Sequence, residues 1–337
     1  MKISDFDTDD QVLIIAEIGN NHEGDFDLAI RLIDEAAEAG AQAVKFQTFI
    51  PALYSSQLDT VRMERLKKFQ LRFFQFEKLA DYARKAGQIF ISTPFDLKSA
   101  RFLGTIADGI KIASGDNTFG PLIDSVAETS KPMIVSTGLA NTAQVKNTTL
   151  QIQNVWAQNK SDANLAILHC VSSYPVPPEE ANLAAIPALS AILDGVTIGY
   201  SDHTLGVDAP VLAVALGARV IEKHFTIDNN YSEFRDHQVS ANPDTLKEMV
   251  KRIRDTEIFL GKGTIGMESC EQALETAIRR SVVASQNLEK GHKILGSDIT
   301  WVRPSGGIPP GKEQLVLGKR LVRKISSGEM ILSNDVA

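Results

Sequence analysis

The chain reads as an α/β protein, a (β/α)8 barrel followed by a small all-β domain, and three observations carry that expectation. Eight short apolar runs alternate with amphipathic stretches, polar residues recur at the C-terminal ends of those runs, and residues 281–337 lose all helical period.

The runs are VLIIAEI (12–18), AVKFQT (43–48), IFISTP (89–94), GIKIAS (109–114), PMIVST (132–137), LAILHC (165–170), VTIGYS (196–201) and RVIEKHF (219–225). Their β-branched content and length suit buried strands. Between them lie helical patterns such as DLAIRLIDEAAEAG, with apolar residues at Leu28, Ile30, Leu32, Ile33, Ala36 and Ala37 and a stop at Gly40. Strict alternation favours a parallel sheet, and eight units over some 250 residues suit a closed barrel better than an open doubly wound sheet. The eighth helix is expected over 243–260, which places the barrel in residues 1–262 and a linker in 263–280.

Beyond the linker the sequence repeats itself. LEKGHKILGSDI (288–299) matches ISSGEMILSNDV (325–336) at an offset of 37, aligning Gly291 with Gly328 and Asp298 with Asp335. Short strands, glycine turns and the insert RPSGGIPPG predict an all-β domain in 281–337. So small a core supports itself only marginally, so the domain is expected to dock, with the barrel mouth as the obvious surface.

Composition narrows the function. At 337 residues and 43% hydrophobic the chain can bury a large core, and a net charge of −7 without a basic stripe argues against nucleic acid as a partner. No apolar run approaches the roughly 20 residues that cross a bilayer, and the acidic opening segment is unlike a signal peptide. A cytoplasmic protein with no membrane partner is expected, and with only Cys170 and Cys270 no disulfide framework.

In such a barrel the chemistry sits at the C-terminal ends of the strands. Those ends carry Glu17, Asn20 and His22; Lys45 and Gln47; Thr93 and Phe95; Lys111, Ser114 and Asp116; Ser136 and Thr137; His169, Ser172 and Tyr174; Ser201, Asp202 and His203; and Glu222, Lys223 and His224. Any one of the hydroxyls is ordinarily a helix cap. Lys45 and Lys111, inside apolar strands, are costly to bury alone, and two readings are open: ion pairs with Glu17 or Asp116, or an anion site. In the second, two ammonium groups with Thr93, Ser114, Ser136 and Ser201 supply many donors and no competing negative charge, as a phosphorylated anion requires. His203 and His224, delivered by adjacent strands, suit Mn²⁺, Fe²⁺, Co²⁺ or Zn²⁺ with the other positions left to water and substrate; acid/base or hydrogen-bonding roles are the alternative. His169 reads as structural, and His22 carries no assigned role.

The segments EIGNNHEG, VKFQT, FISTPFD, KIASGD, STG, LHCVSSYP, GYSDHT, EKHFT, DHQVSANPD, RRSVVA and WVRPSGGIPP, in this order over nearly the whole chain, resemble the N-acetylneuraminate (sialic acid) synthase family. The C-terminal part is similar to the antifreeze-like (SAF) domain of those enzymes. The resemblance implies a transferase that condenses phosphoenolpyruvate with an open-chain N-acylated amino sugar, N-acetylmannosamine or a relative, to a nine-carbon 2-keto acid and phosphate. It implies a divalent metal on His203 and His224, Mn²⁺ first and Mg²⁺ or Co²⁺ as alternatives, acting as Lewis acid on the aldehyde. Lys45, Thr93, Lys111, Ser114, Ser136, Ser172 and Ser201 would hold phosphoenolpyruvate, with Lys45 and Lys111 also stabilising charge during the addition. Glu17, Gln47, Phe95, Tyr174 and Asp236 would contact the sugar, Glu17 would also be catalytic, and Asp116 would orient the water that adds after carbon–carbon bond formation. Arg303 would cross from one subunit's small domain into the other's barrel mouth, which implies a domain-swapped homodimer. The chain departs from the family pattern in carrying Asp116 where Glu is usual and Ser172 where Asn is frequent.

The second loop, PALYSSQLDTVRMERLKK, is diagnostic of no single sugar, and legionaminic or pseudaminic acid synthases share the same chemistry. Two remoter readings are a Schiff-base pyruvate aldolase on Lys45 or Lys111, which leaves the histidines without a role, and a non-enzymatic sugar- or ice-binding protein, against which the polar strand ends count.

Overall fold

The computed structural model describes residues 1–337 and divides into two compact units, Met1–Gly261 and Lys262–Ala337. In the first, eight parallel strands close a barrel: β1 (Leu13–Gly19), β2 (Ala43–Thr48), β3 (Ile89–Pro94), β4 (Gly109–Ile112), β5 (Met133–Ser136), β6 (Leu165–Cys170), β7 (Thr197–Asp202) and β8 (Val220–His224). Each strand pairs with its sequence neighbours, and β8 returns to β1 with His224 opposite Glu17. All eight predicted strands are present, and the eighth helix spans Pro243–Leu260 as expected. None of the helices is long and apolar enough to cross a membrane.

The period of two along each strand sorts its residues between two cores. Outward-facing Ile14, Val44, Phe90, Ile110, Val135, Ile167, Ile198 and Ile221 pack under the helices. Helix α1 (Phe26–Glu38) shows how: Asp25 caps it through the Asp27 and Leu28 amides, and its buried face is Leu28, Ala29, Leu32, Ile33 and Ala36.

Inward-facing residues form layers. At the N-terminal end lie Leu13, Ile15, Ala43, Ile89, Ile91, Ile134, Ala166, Leu168 and Val220, joined by Met1 and Ile3 of the small Lys2–Ile3/Phe6–Asp7 hairpin. Gly199 belongs to this layer because a Cβ there would stand 2.4 Å from the Val220 carbonyl and 2.5 Å from Leu168. Two residues further along the same strands, the inward positions become Glu17, Lys45, Thr93, Lys111, Ser136, Cys170, Ser201 and Glu222. The barrel is thus filled with oil at one end and charge at the other.

The second unit pairs β9 (Ser281–Ala284) with β10 (Ile299–Val302) antiparallel around a core that includes Val282, Leu288, Ile294, Val316, Leu321, Ile325 and Ile331. It also contains the short helix Gln272–Ile278, on the stretch expected as linker. The repeat has a physical meaning here. Leu288 bridges Ile325, Gly291 and Gly328 turn at φ +86 and +81, and Asp298 and Asp335 each accept the amide three residues before them at 2.9 Å.

Candidate active site

The charged layer opens into a cavity of about 1180 Å³. Of the residues assigned roles from the sequence, Glu17, Lys45, Gln47, Thr93, Phe95, Lys111, Ser114, Ser136, Ser172, Tyr174, Ser201, His203, His224 and Asp236 all line it. Two do not. Asp116 lies on the turn Ser114–Asp116 beyond the end of β4, beside the lining, where Ala113, Ser114 and Gly115 form the wall. Arg303 belongs to the second unit, where it is solvent-exposed.

The floor is a buried lattice of two lysines and two carboxylates. Lys45 Nζ stands 2.8 Å from Glu17, 3.7 Å from Glu222 and 3.2 Å from the Thr93 hydroxyl. Lys111 Nζ donates to both Glu222 oxygens, at 2.9 and 3.0 Å, and Ser201 donates to Glu222 at 2.9 Å. The expectation of an anion site free of competing negative charge is therefore corrected. Isolated ammonium groups in a dry barrel cost too much, and each lysine is neutralised in place. Glu17 is a partner as one reading foresaw, Asp116 is not, and Glu222 is the partner both lysines share.

Burial weakens every charge in this lattice, and the neighbours decide the outcome. Burial alone would raise Glu222, but Lys111 and Lys45 overcome it and hold the carboxyl down to about 2. Glu17 is raised, by burial first and then by repulsion from Glu222, against the pull of Lys45. Burial depresses Lys45, yet Glu17 and Glu222 outweigh it and the ammonium ends above its ordinary value. Lys111 is lowered by burial, with Glu222 opposing and Lys45 adding to the fall.

One wall is built from small hydroxyls. The Gly138 amide donates to Ser114 Oγ at 3.1 Å, and a Cβ on Gly138 would stand 2.2 Å from Ser172 Oγ and 2.6 Å from Ser114 Oγ. Only glycine lets these hydroxyls converge. Ser136 Oγ is buried with no partner, a donor left for something in the cavity.

The opposite wall carries imidazoles and aromatics. The His203 and His224 rings lie 5.4 Å apart, with Tyr174 4.0 Å from His203. His203 Nδ1 is 2.8 Å from the Val171 carbonyl; a carbonyl only accepts, so the proton sits on Nδ1 and Nε2 is left with a free lone pair. His224 Nδ1 is buried without a partner, and burial keeps this ring neutral by lowering its pKa. Two imidazoles on adjacent strand ends, each with a ring nitrogen that has no protein partner, fit a borderline divalent cation. No third His, Cys, Asp or Glu joins them in a cluster of metal-ligand geometry.

Over the mouth, Asn20 donates to Gln47 at 2.7 Å and Gln47 to Glu17 at 3.2 Å, tying the first two loops together. Tyr54 stacks on Phe95 at 4.4 Å and carries the Arg62 guanidinium 4.9 Å above its ring. Asp236 pairs with Arg235 at 3.1 Å, and Arg235 lies over Tyr174. Neither of the other two histidines at the barrel strand ends lines the cavity: His169 faces outward and bonds the Ala181 carbonyl at 2.8 Å, and His22, lowered to about 4 by burial, accepts the Gly24 amide at 3.0 Å.

Glu222, Tyr54, Arg62 and Arg65 were not assigned roles from the sequence. For Glu222 a signal existed: it alternates with His224 on one strand and so shares its inward face. The other three stand on the second loop, in the helices Pro51–Tyr54 and Thr60–Phe69, whose placement no strand periodicity announces.

A parallel barrel whose strand ends converge two lysines, two carboxylates, a hydroxyl wall and two imidazoles in one cavity has the architecture of an enzyme active site. The NeuB family model matches residues 32–265 and the SAF domain model residues 279–337, and the chain belongs to the NeuB family. It is 40% identical to an uncharacterized protein of Methanocaldococcus jannaschii, over 96% of this chain and 94% of that one. It is 36% identical to the N,N'-diacetyllegionaminic acid synthase of Campylobacter jejuni, over 95% and 99%. Among solved structures, the N-acetylneuraminic acid synthetase of Leptospira borgpetersenii superposes with a TM-score of 0.73 at 35% identity, covering 78% of this chain and 90% of that one.

Proposed function

We propose that this chain is a sialic acid synthase-type transferase that joins phosphoenolpyruvate to the open-chain aldehyde of an N-acylated amino sugar, releasing phosphate and a 2-keto sugar acid. The observation that carries the reading is the Lys45–Glu17–Glu222–Lys111 lattice beneath a hydroxyl wall and two free imidazoles.

The lysines, with Thr93, Ser114, Ser136, Ser172 and Ser201, hold the phosphate and carboxylate of phosphoenolpyruvate by charge-assisted hydrogen bonds. Gln47, Phe95, Tyr174 and Asp236 orient the sugar so that its C1 faces C3 of the enol. His203 and His224 would hold a divalent ion, Mn²⁺ by preference, which when bound would supply Lewis-acid polarisation of the aldehyde oxygen. As the C3–C1 bond forms, the carbonyl pair moves to the aldehyde oxygen, which takes a proton, and C2 is left cationic. The buried lysines hold the phosphate during this step, a role their burial at the cavity floor supports. Water then adds at C2 and gives up a proton; Asp116 orients that water, and Glu17, a carboxylate on the cavity wall, accepts the proton. Loss of phosphate by C–O cleavage completes the ketone. Arg303 of a partner subunit completes the sugar site in a cytoplasmic homodimer.

The acceptor follows from a single assay: phosphate release from phosphoenolpyruvate with N-acetylmannosamine, its diacetylated deoxy analogues and their 6-phosphates. Release that depends on one of them establishes the class and selects the sugar, and release with none of them overturns the reading.

A further inference from the structure

Each of the two histidines is preceded by a charged residue of opposite sign, Asp202 before His203 and Lys223 before His224, and the cavity uses neither. The parallel register sets Lys223 directly opposite Asp202. Alternation turns both to the outer face of the barrel, beneath the helices, while the histidines turn inward. There they form an ion pair less than 3% exposed on either side. Lys223 also donates to the Thr204 carbonyl at 2.8 Å, and Asp202 accepts the Thr204 amide at 2.8 Å and the Tyr200 hydroxyl at 2.9 Å.

The residues on both sides of His203 are therefore tied to the residue beside His224. Stability alone does not account for such a pair, because a buried ion pair breaks even at best against apolar residues of similar volume. Its effect is geometric: it fixes where the ends of β7 and β8 leave the barrel, and with them the two imidazoles. We propose that Asp202 and Lys223, with Tyr200 behind them, are positioning residues that set the spacing of His203 and His224 and thereby the affinity for a divalent cation. The proposal rests on the reading of those histidines as metal ligands. A site with two protein ligands is the kind most sensitive to their spacing, since no third one corrects an error.

The test is Mn²⁺ binding to the full-length apoprotein, read from the free-ion electron paramagnetic resonance signal, beside circular dichroism melts and phosphoenolpyruvate titrations in chelator. The neutral double variant Asp202→Asn/Lys223→Met avoids stranding a buried charge, and Tyr200→Phe removes one hydroxyl and leaves the ion pair. The double variant is expected to bind Mn²⁺ ten- to a hundredfold more weakly and Tyr200→Phe a few-fold more weakly. Phosphoenolpyruvate affinity in chelator should stay within about threefold, and saturating Mn²⁺ should restore most of kcat. If His203→Ala abolishes Mn²⁺ binding while Tyr200→Phe and the folded double variant bind it like wild type, the positioning role is refuted and the metal site stands. If the double variant does not fold, Tyr200→Phe decides alone. Undiminished Mn²⁺ binding by His203→Ala overturns the metal reading and this proposal together.

Discussion

Lys111 Nζ sits between the two oxygens of Glu222, 2.9 Å from one and 3.0 Å from the other, on strands 111 residues apart in sequence. This contact, shared through Glu222 with Lys45, gives both buried ammonium groups a carboxylate partner inside the barrel.

Its first consequence is a pH dependence. The Glu222 carboxyl falls from an ordinary 4.5 to about 2, so its contribution to stability is fully present above 4.5 and is lost as pH falls toward 2. Glu17 is raised and works the other way: its contribution is present below 4.5 and lost as pH rises through its folded value. Melting temperature measured against pH should therefore fall less steeply below 4.5 in Glu222→Gln than in wild type, and Glu17→Gln should remove a loss of stability that wild type shows as pH rises above 4.5. Parallel curves would remove the assigned coupling.

Lys45→Ala and Lys111→Ala should each weaken phosphoenolpyruvate far more than the sugar, since each deletes a charge-assisted contact worth about 1.5–3 kcal/mol, roughly ten- to a hundredfold in Kd. Both variants should also melt earlier, because a buried carboxylate loses its partner. Titration calorimetry with each substrate separates the two effects; equal losses for both would make the lysines structural.

The fold was legible in the sequence because each barrel strand is buried on both faces and so reads as a continuous apolar run. The inward positions of Lys45, Lys111, His203 and His224 followed from where those runs end. Asp116 did not follow: β4 stops at Ile112, and the turn after it carries the carboxylate past the wall that Ser114 still lines. Glu222 was seen as polar at a strand end, but its partnership with two lysines depends on the closure of β8 onto β1, a contact between the two ends of the barrel sequence. The loop carrying Tyr54 and Arg62 is shaped by stacking on Phe95, which no local pattern encodes.

The two carboxylates at 17 and 116 should separate kinetically. Glu17→Gln, on the wall and hydrogen-bonded by Gln47 at 3.2 Å, should lower kcat by two orders of magnitude or more with small effects on KM. Asp116→Asn should cost less than tenfold. A reversed order would move the proton-accepting role to Asp116.

Arg303→Ala should raise the sugar KM with a smaller effect on phosphoenolpyruvate. Mixed with His203→Ala under subunit exchange, it should regain partial activity, because one site of the heterodimer combines an intact barrel with an intact arginine. No recovery despite demonstrated exchange would confine Arg303 to its own chain.

The central claim is condensation through C2 with loss of phosphate by C–O cleavage, and the most direct measurement is the fate of the bridging oxygen. With phosphoenolpyruvate carrying ¹⁸O at C2, Mn²⁺ present and the acceptor selected by the phosphate-release assay, mass spectrometry should find the label in inorganic phosphate and solvent oxygen at C2 of a nine-carbon keto acid. Label retained in the keto product, or phosphate released at the same rate without the sugar, would contradict it.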